Sequence, residues 1–302
     1  MSIVPILTQL DDVPVAGVAM GNVTLLRLDS GGGLAPGNKS FKLLGNLAAA
    51  RRLGLKRLLS FGGAWSNHLH ALAALGAEQG FATVGIVRGD EVTAESAMLA
   101  DARGWGMQVE RVSRNEYRQR HDPDYLAQLQ RRFGPCLIIP EGGANSDGAR
   151  GCAAIAALIR LEAPALRRVL VPVGTGTTLA GLAAGLDNDY EVIGVSALKG
   201  AADLEHRVEL ALASIAAAGA AHWQILHREH CGGFARVSAG LREFMLAFEA
   251  VQGIALEPVY TGKMLYAIHQ RLRSGEWSRD VPLLAIHTGG LQGRRGYDWL
   301  EG

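Results

Sequence analysis

The stretch "RLLSFGGAWSNHLHALAALGAEQGFATVGIVRG" (residues 57–89) holds one complete strand–helix–strand unit. "RLLSFG" (57–62) is an apolar run closed by glycine, "NHLHALAALGAEQG" (67–80) is an Ala/Leu-rich helix pattern closed by another, and "ATVGIVRG" (82–89) extends again. A helix between two strand-like runs makes a crossover, the connection that parallel neighbours in a sheet require. The pattern repeats outward. "VTLLRL" (23–28) reads as a strand before a helix over 40–54 that ends at Gly54. A helix over 94–106, an extended run over 108–113 and "CLIIPEGG" (136–143) come next, the last leading into a helix over 147–161. Strands over 168–174 and 190–197 flank the helix "TTLAGLAAGL", and "VPLLAIHTGG" (281–290) adds a late strand. This alternation predicts an α/β protein with a mostly parallel sheet. "PEGGANSDG" is the densest turn-forming stretch and places the meeting of two halves near 140–145.

Bulk properties bound the function. With 302 residues the chain can form one large α/β unit or two modest domains sharing a cleft. A net charge of +1 from 30 basic and 29 acidic residues leaves no footprint for nucleic acid or an acidic membrane surface. Aromatics at 6% argue against a stacking platform for single strands. Cys136, Cys152 and Cys231 show no C-x-x-C spacing, which suggests a reducing compartment without a disulfide frame. The opening residues lack a basic region followed by an apolar core, and "LALASIAAAGAA" (210–221) is too short to cross a bilayer. The expectation is a soluble cytoplasmic protein.

In open α/β sheets ligands gather at the carboxyl ends of strands. Five Gly-rich turns stand there: "GNKS", "SFGGAWSN", "PEGGANS", "PVGTGTT" and "IHTGG". In "VPVGTGTTLAG" (171–181) an apolar strand feeds Gly174, Thr175, Gly176, Thr177 and Thr178, and a helix follows at once. Glycines let backbone N–H groups crowd an anion, threonines add donors and the helix dipole favours negative charge. Leu179 breaks the dinucleotide fingerprint and no Gly-Lys-Ser/Thr follows, so the choice is between a phosphate cup and a plain helix start.

Ser66 and Asn67 stand where a helix cap would, behind Gly62 and Gly63, which clear room for a ligand. His68 and His70 lie on opposite sides of that helix start, a poor metal pair. "HREHC" offers His227, His230 and Cys231, but a fourth ligand and a turn scaffold are missing, so no metal is expected. "GNKSFKLLGN" (37–46) carries Lys39 and Lys42 into an otherwise apolar helix, and a buried lysine needs a partner or a task. A lysine in a strand-end turn, a Ser-Asn turn and a Gly/Thr cup together suggest a Schiff-base cofactor bearing a phosphate. Desolvation lowers the lysine pKa, so its neutral amine can attack an aldehyde and carry a proton. That accounts for one lysine. The other reads as an ordinary helix-face residue with a buried stem.

"GNKSFKL", "SFGGAWSNH", "IPEGGANSDGARG", "VPVGTGTTLAGL", "LEPVYTGKMLYAI" and "IHTGG" occur in the order seen in D-cysteine desulfhydrases and 1-aminocyclopropane-1-carboxylate deaminases, and the chain resembles that family from about Arg27 to Gly290. The resemblance implies the fold-type II pyridoxal-phosphate architecture, similar to the tryptophan synthase β chain: two open, twisted, mostly parallel sheets with helices on both faces. It implies a small domain over 40–140 inserted into a large one of 1–39 and 141–302. It places pyridoxal 5′-phosphate on Lys39, the substrate carboxylate by Ser66, the pyridoxal 3′ oxygen by Asn67, and the phosphate at Gly174, Thr175, Gly176, Thr177 and Thr178. It sets Tyr260 near the reacting bond, with Thr261 and Thr288 close to the cofactor ring.

Two departures stand out. "RLDS" (27–30) replaces the Arg-Asp-Asp of relatives, and in "CGGFARVS" (231–238) Phe234 is nearest to a second family tyrosine. Deaminases of the family resemble one another in Glu and Leu at the positions of Thr261 and Thr288, while desulfhydrases have small hydroxyl residues. The implied activity is therefore β-elimination on D-cysteine or a related β-substituted D-amino acid, giving pyruvate, ammonia and hydrogen sulfide. Ring opening of 1-aminocyclopropane-1-carboxylate and cofactor binding without turnover are the alternatives. A small amino-acid substrate and a homodimer are implied, with neither nucleic acid nor membrane as partner.

Overall fold

The computed structural model describes residues 6–89, 95–217 and 219–300. Its strands are β1 (Ile6–Gln9), β2 (Val23–Arg27), β3 (Arg57–Gly63), β4 (Ala82–Arg88), β5 (Gln108–Val112), β6 (Leu137–Ile139), β7 (Arg168–Val173), β8 (Glu191–Ser196), β9 (His222–Leu226) and β10 (Leu283–His287). The helices are α1 (Asn38–Arg52), α2 (Asn67–Gln79), α3 (Ala97–Gly104), α4 (Arg114–Arg118), α5 (Pro123–Phe133), α6 (Ser146–Glu162), α7 (Thr177–Gly185), α8 (Leu204–Ser214), α9 (Ala239–Gln252) and α10 (Thr261–Ser274). Among the described residues the strands form two sheets, β1-β2-β10-β7-β8-β9 and β5-β4-β3-β6. Every pairing in them is parallel except β1 with β2.

Strands covered on both faces are apolar throughout, which is why they appear in the sequence as continuous runs. In β7, Val169 and Val171 point into a core with α6 and α7, while Leu170 between them packs with α9 and α10. The four-stranded sheet repeats the arrangement. Leu58 and Val87 face α1, α2 and α3, and Leu59, Phe61, Val84 and Ile86 face α4 and α5. Helix α1 belongs to both bodies, because Phe41 lies in a core of the large sheet and Leu43 and Leu47 in a core of the small one. It lies very close to α6: a Cβ at Gly45 would meet Asp147 O at 2.2 Å, and one at Gly151 would meet Phe41 O at 2.1 Å.

Three expected elements are shorter than read by several residues. The strand at 136–143 covers only Leu137–Ile139, because Gly142 (φ 70°) and Gly143 (φ 69°) turn the chain into a 3-10 segment. The late strand covers Leu283–His287. Helix α3 begins at Ala97, and residue 94 of the expected helix lies outside the described residues. The pattern reading contained neither the edge strands β1 and β9 nor helices α4, α5 and α8–α10. Among the described residues, no helix is long and apolar enough to cross a membrane.

Candidate active site

Between the sheets a cavity of about 130 Å³ opens, lined in part by Asn38, Lys39, Asn67, Tyr260 and Thr288. Its floor is made where α1 starts against the end of β10. Gly37 (φ 132°) bridges Gly289, Asn38 N donates to Thr288 O at 3.1 Å, and a Cβ on Gly37 would meet that carbonyl at 2.5 Å. Only glycine fits there. The turn projects Lys39, whose Nζ donates to Asn38 Oδ1 at 3.0 Å and lies 5.7 Å from the centre of the Tyr260 ring. Asn38 Nδ2 in turn donates to Thr178 Oγ1 at 2.9 Å, tying the lysine turn to α7. Burial, then the positive charge of Lys42, lowers the Lys39 pKa from 10.5 to about 7. Sequence reasoning gave Asn38 no role, although it stands next to Lys39 in the same motif.

The Gly174–Thr178 turn leads β7 into α7. Gly176 (φ 83°) is the cap residue, and no side chain satisfies the first N–H groups of the helix. Thr175 Oγ1 and Thr177 Oγ1 lie 3.0 Å apart. Lys42 joins this cup and is not an ordinary helix-face residue. It is 3% exposed, and its Nζ donates to Gly142 O at 3.2 Å and approaches Thr175 Oγ1 at 3.4 Å. Among the described residues no carboxylate pairs with it, and burial lowers its pKa. The sequence signal was the three-residue spacing from Lys39, which puts both lysines on one helix face. Which of them is enclosed depends on α6 and the Glu141–Gly143 turn.

Ser66 caps α2, with Oγ accepting from Leu69 N at 3.2 Å, so the capping role read from sequence is present. Asn67 Oδ1 accepts from Gln292 Nε2 at 2.5 Å, and a Cβ on Gly290 would meet Asn67 Nδ2 at 2.5 Å. His68 pairs with Ser60 Oγ at 2.8 Å, and burial followed by Lys39 and Lys42 pushes its pKa down to about 3, so it is neutral. His70 instead faces Asp101 Oδ2 at 3.0 Å.

Glu257 is the residue that sequence reasoning missed altogether. Its buried carboxylate accepts from the backbone N–H groups of Val259 (2.8 Å), Tyr260 (2.6 Å) and Thr261 (2.6 Å), which fixes the entry to α10. Burial raises its pKa to about 7 against those three donors. An acidic residue three before Tyr260 was the available signal. The Tyr260 hydroxyl is raised by burial and by Glu257, so it keeps its proton at neutral pH. Thr261 Oγ1 and Thr288 Oγ1, 27 residues apart, come within 3.4 Å.

The two departures also find places. Asp29 is buried between Arg27, which donates at 2.8 and 2.6 Å, and His287 Nδ1 at 3.2 Å. Phe234 stands edge-on to Tyr260, with ring centres 6.1 Å apart at 68°. His227 is engaged with Glu205 at 2.5 Å and His230 Nδ1 accepts from Gly232 N at 3.0 Å. Among the described residues no three His, Cys, Asp or Glu side chains converge on a metal position.

The chain is 29% identical to a D-cysteine desulfhydrase of Salmonella choleraesuis (strain SC-B67), over 94% of this chain and 91% of that protein. It is 28% identical, with the same coverage, to that of Salmonella newport (strain SL254). A crystal structure described as an ACC deaminase homologue superimposes with a TM-score of 0.84 at 23% identity, over 98% of this chain and 93% of that one. A hydrogen sulfide-producing enzyme from Fusobacterium nucleatum gives 0.67 at 12%, over 94% of each chain. At these identities the two structures show the fold. The residues present fit a phosphorylated aldehyde. An amine of lowered basicity faces the cavity, and a buried lysine without an acid meets a helix start without a side-chain cap, two features that a bound dianion would resolve. The model of the pyridoxal-phosphate dependent enzymes matches residues 25–289, which takes in each of these turns, and the chain belongs to that family.

Proposed function

We propose that the protein eliminates the β-substituent of D-cysteine or a related β-substituted D-amino acid. Lys39 Nζ would be the attachment point of pyridoxal 5′-phosphate. Lys42, Thr175, Thr177, Thr178 and the N–H groups of the 174–178 turn would hold its phosphate, Asn67 its 3′ oxygen, and Thr261 and Thr288 its ring nitrogen. The observation that carries the choice of reaction is the threonine pair 3.4 Å apart, next to a Glu257 carboxylate already engaged by three N–H groups. When bound, the cofactor supplies a sink for electrons released at Cα, a modest one with neutral hydroxyls at its ring nitrogen, which suffices for a good leaving group such as thiolate.

The chain's own groups do the rest. The N-terminus of α2 and Ser66 orient the substrate carboxylate. Lys39 would take the Cα proton, and with a pKa of about 7 a large share of its amine is neutral at physiological pH. Tyr260, still protonated, stands beside Lys39 to give a proton to the departing sulfur. Pyruvate, ammonia and hydrogen sulfide result. Purified protein supplied with D-cysteine should release sulfide and pyruvate in equal amounts. Faster turnover of 1-aminocyclopropane-1-carboxylate, or none with any D-amino acid, would overturn the proposal.

The proposal extends to organisation. The small sheet is built wholly from residues 57–139, which supports an inserted domain over 40–140 within one of 1–39 and 141–302. A homodimer follows the resemblance to the desulfhydrases. A cytoplasmic location accords with the three unpaired cysteines.

A further inference from the structure

The amide of Asn67 can meet a ligand with its N–H groups or, turned over, with its oxygen, and the two ends have opposite polarity. What decides between them lies 225 residues away, at Gln292. Both side chains line the cavity that holds Lys39. Gln292 Nε2 donates to Asn67 Oδ1 at 2.5 Å and to the backbone carbonyl of Trp65 at 3.4 Å. A carbonyl oxygen accepts and cannot donate, so Trp65 O requires the nitrogen of Gln292 on that side. The same nitrogen then requires the oxygen of Asn67. Asn67 Nδ2 is thereby turned the other way, against the bare Cα of Gly290, where a Cβ would meet it at 2.5 Å.

The segment that carries Gln292 is held from both sides. Arg294 donates to Glu249 Oε2 of α9 at 2.9 Å, and Arg295 donates to Asp101 Oδ1 of α3 at 3.3 Å. Glutamine is also an unfavourable choice for stability at this place. Its Oε1 is buried without a hydrogen-bond partner among the described residues, a penalty that an apolar side chain of the same length would avoid.

We propose that Gln292 is a positioning residue for the cofactor: it holds the Asn67 amide with its N–H groups toward the 3′ oxygen, and so favours the form of the bound cofactor in which that oxygen is negative. The inference rests on the placement of the 3′ oxygen at Asn67 given above. In the linkage of the cofactor to Lys39, one proton is shared between the 3′ oxygen and the linking nitrogen. An N–H donor at the oxygen moves that proton to nitrogen and gives the charge-separated form, which absorbs in the visible. An amide oxygen in its place would repel the negative oxygen and return the proton to it, giving the uncharged form, which absorbs in the near ultraviolet. Only the proton moves, and nothing is oxidised or reduced.

Gln292→Met and Gln292→Glu test this on the holoenzyme, with Asn67→Ala as the reference. The readouts are the ratio of visible to near-ultraviolet absorbance of the bound cofactor at neutral pH and the melting temperature of the cofactor-free protein. Gln292→Met releases the Asn67 amide and should lower the ratio about threefold, with a melting temperature equal to or above that of the wild type because the unpaired acceptor is gone. Gln292→Glu offers acceptors only, so Asn67 should turn its N–H groups to the glutamate and its oxygen to the cofactor, lowering the ratio about tenfold. An unchanged ratio in both glutamine variants, with a lowered one in Asn67→Ala, would overturn this inference and leave the placement of the cofactor intact. A ratio that falls in Gln292→Met only together with the melting temperature would mark a structural role and overturn it too. An unchanged ratio in all three variants would overturn both the inference and the placement.

Discussion

Replacing Lys42 with Met keeps the length of a buried side chain and removes its charge, and the first effect should appear on Lys39. The Lys39 pKa falls from 10.5 to about 7, with burial as the larger cause and Lys42 as the next. That drop corresponds to about 5 kcal/mol between charged and neutral amine, and at pH 7 it makes about half of the amine neutral where an ordinary lysine has about one part in 3,000. Removing the second cause should raise the pKa, but not to 10.5, since the cavity still excludes water. Competitive acetylation of cofactor-free protein at limiting anhydride, from about pH 5.5 to 10, with peptide mass spectrometry, reads the amine directly. The Lys39 peptide should show an inflexion near 7 in the wild type and a higher one in Lys42→Met. The linked stability has a definite sign: folded Lys39 binds fewer protons than the unfolded chain between about pH 7 and 10.5, so this group's contribution to stability rises across that window. A wild-type inflexion at 9 or above, or one that Lys42→Met lowers or leaves in place, would refute the reasoning.

Other perturbations give equally direct readouts. Lys42→Met should also weaken cofactor retention, measured by visible absorbance after gel filtration, while Lys39→Ala should abolish borohydride fixation of the cofactor on that peptide. Gly176→Val should cost both retention and thermal stability, because the position needs φ 83° and a Cβ there would meet Val208 Cγ2 of α8 at 2.9 Å. Glu257→Gln leaves at least one of three buried N–H groups poorly matched and should lower folding stability by about 1–3 kcal/mol in denaturant titration. Tyr260→Phe keeps the ring contacts and loses the proton, so kcat on D-cysteine should fall by about 10² or more with cofactor absorbance unchanged.

The alternation of fully apolar strands with glycine-closed helices was enough to determine parallel sheets, because strands covered on both faces leave that mark on the chain. The same logic put the chemistry on Gly-rich strand ends, and the resemblance to the family singled out Lys39 over Lys42. Short edge strands such as β9 carried too weak a pattern to read, since its residues alternate between exposed and half-buried rather than forming an apolar run. What only the tertiary structure decided are relations between residues far apart in sequence. Asn38 reaches Thr178 across 140 residues, Thr261 meets Thr288, and Phe234 is set against Tyr260. Lys39 and Lys42 share one face of α1 and look equivalent in a local pattern. Their different surroundings arise because Gly45 and Gly151 let α1 and α6 close to backbone contact, enclosing Lys42 and leaving Lys39 at the cavity. Periodicity records which side of an element is buried; the identity of what buries it depends on how separate elements pack.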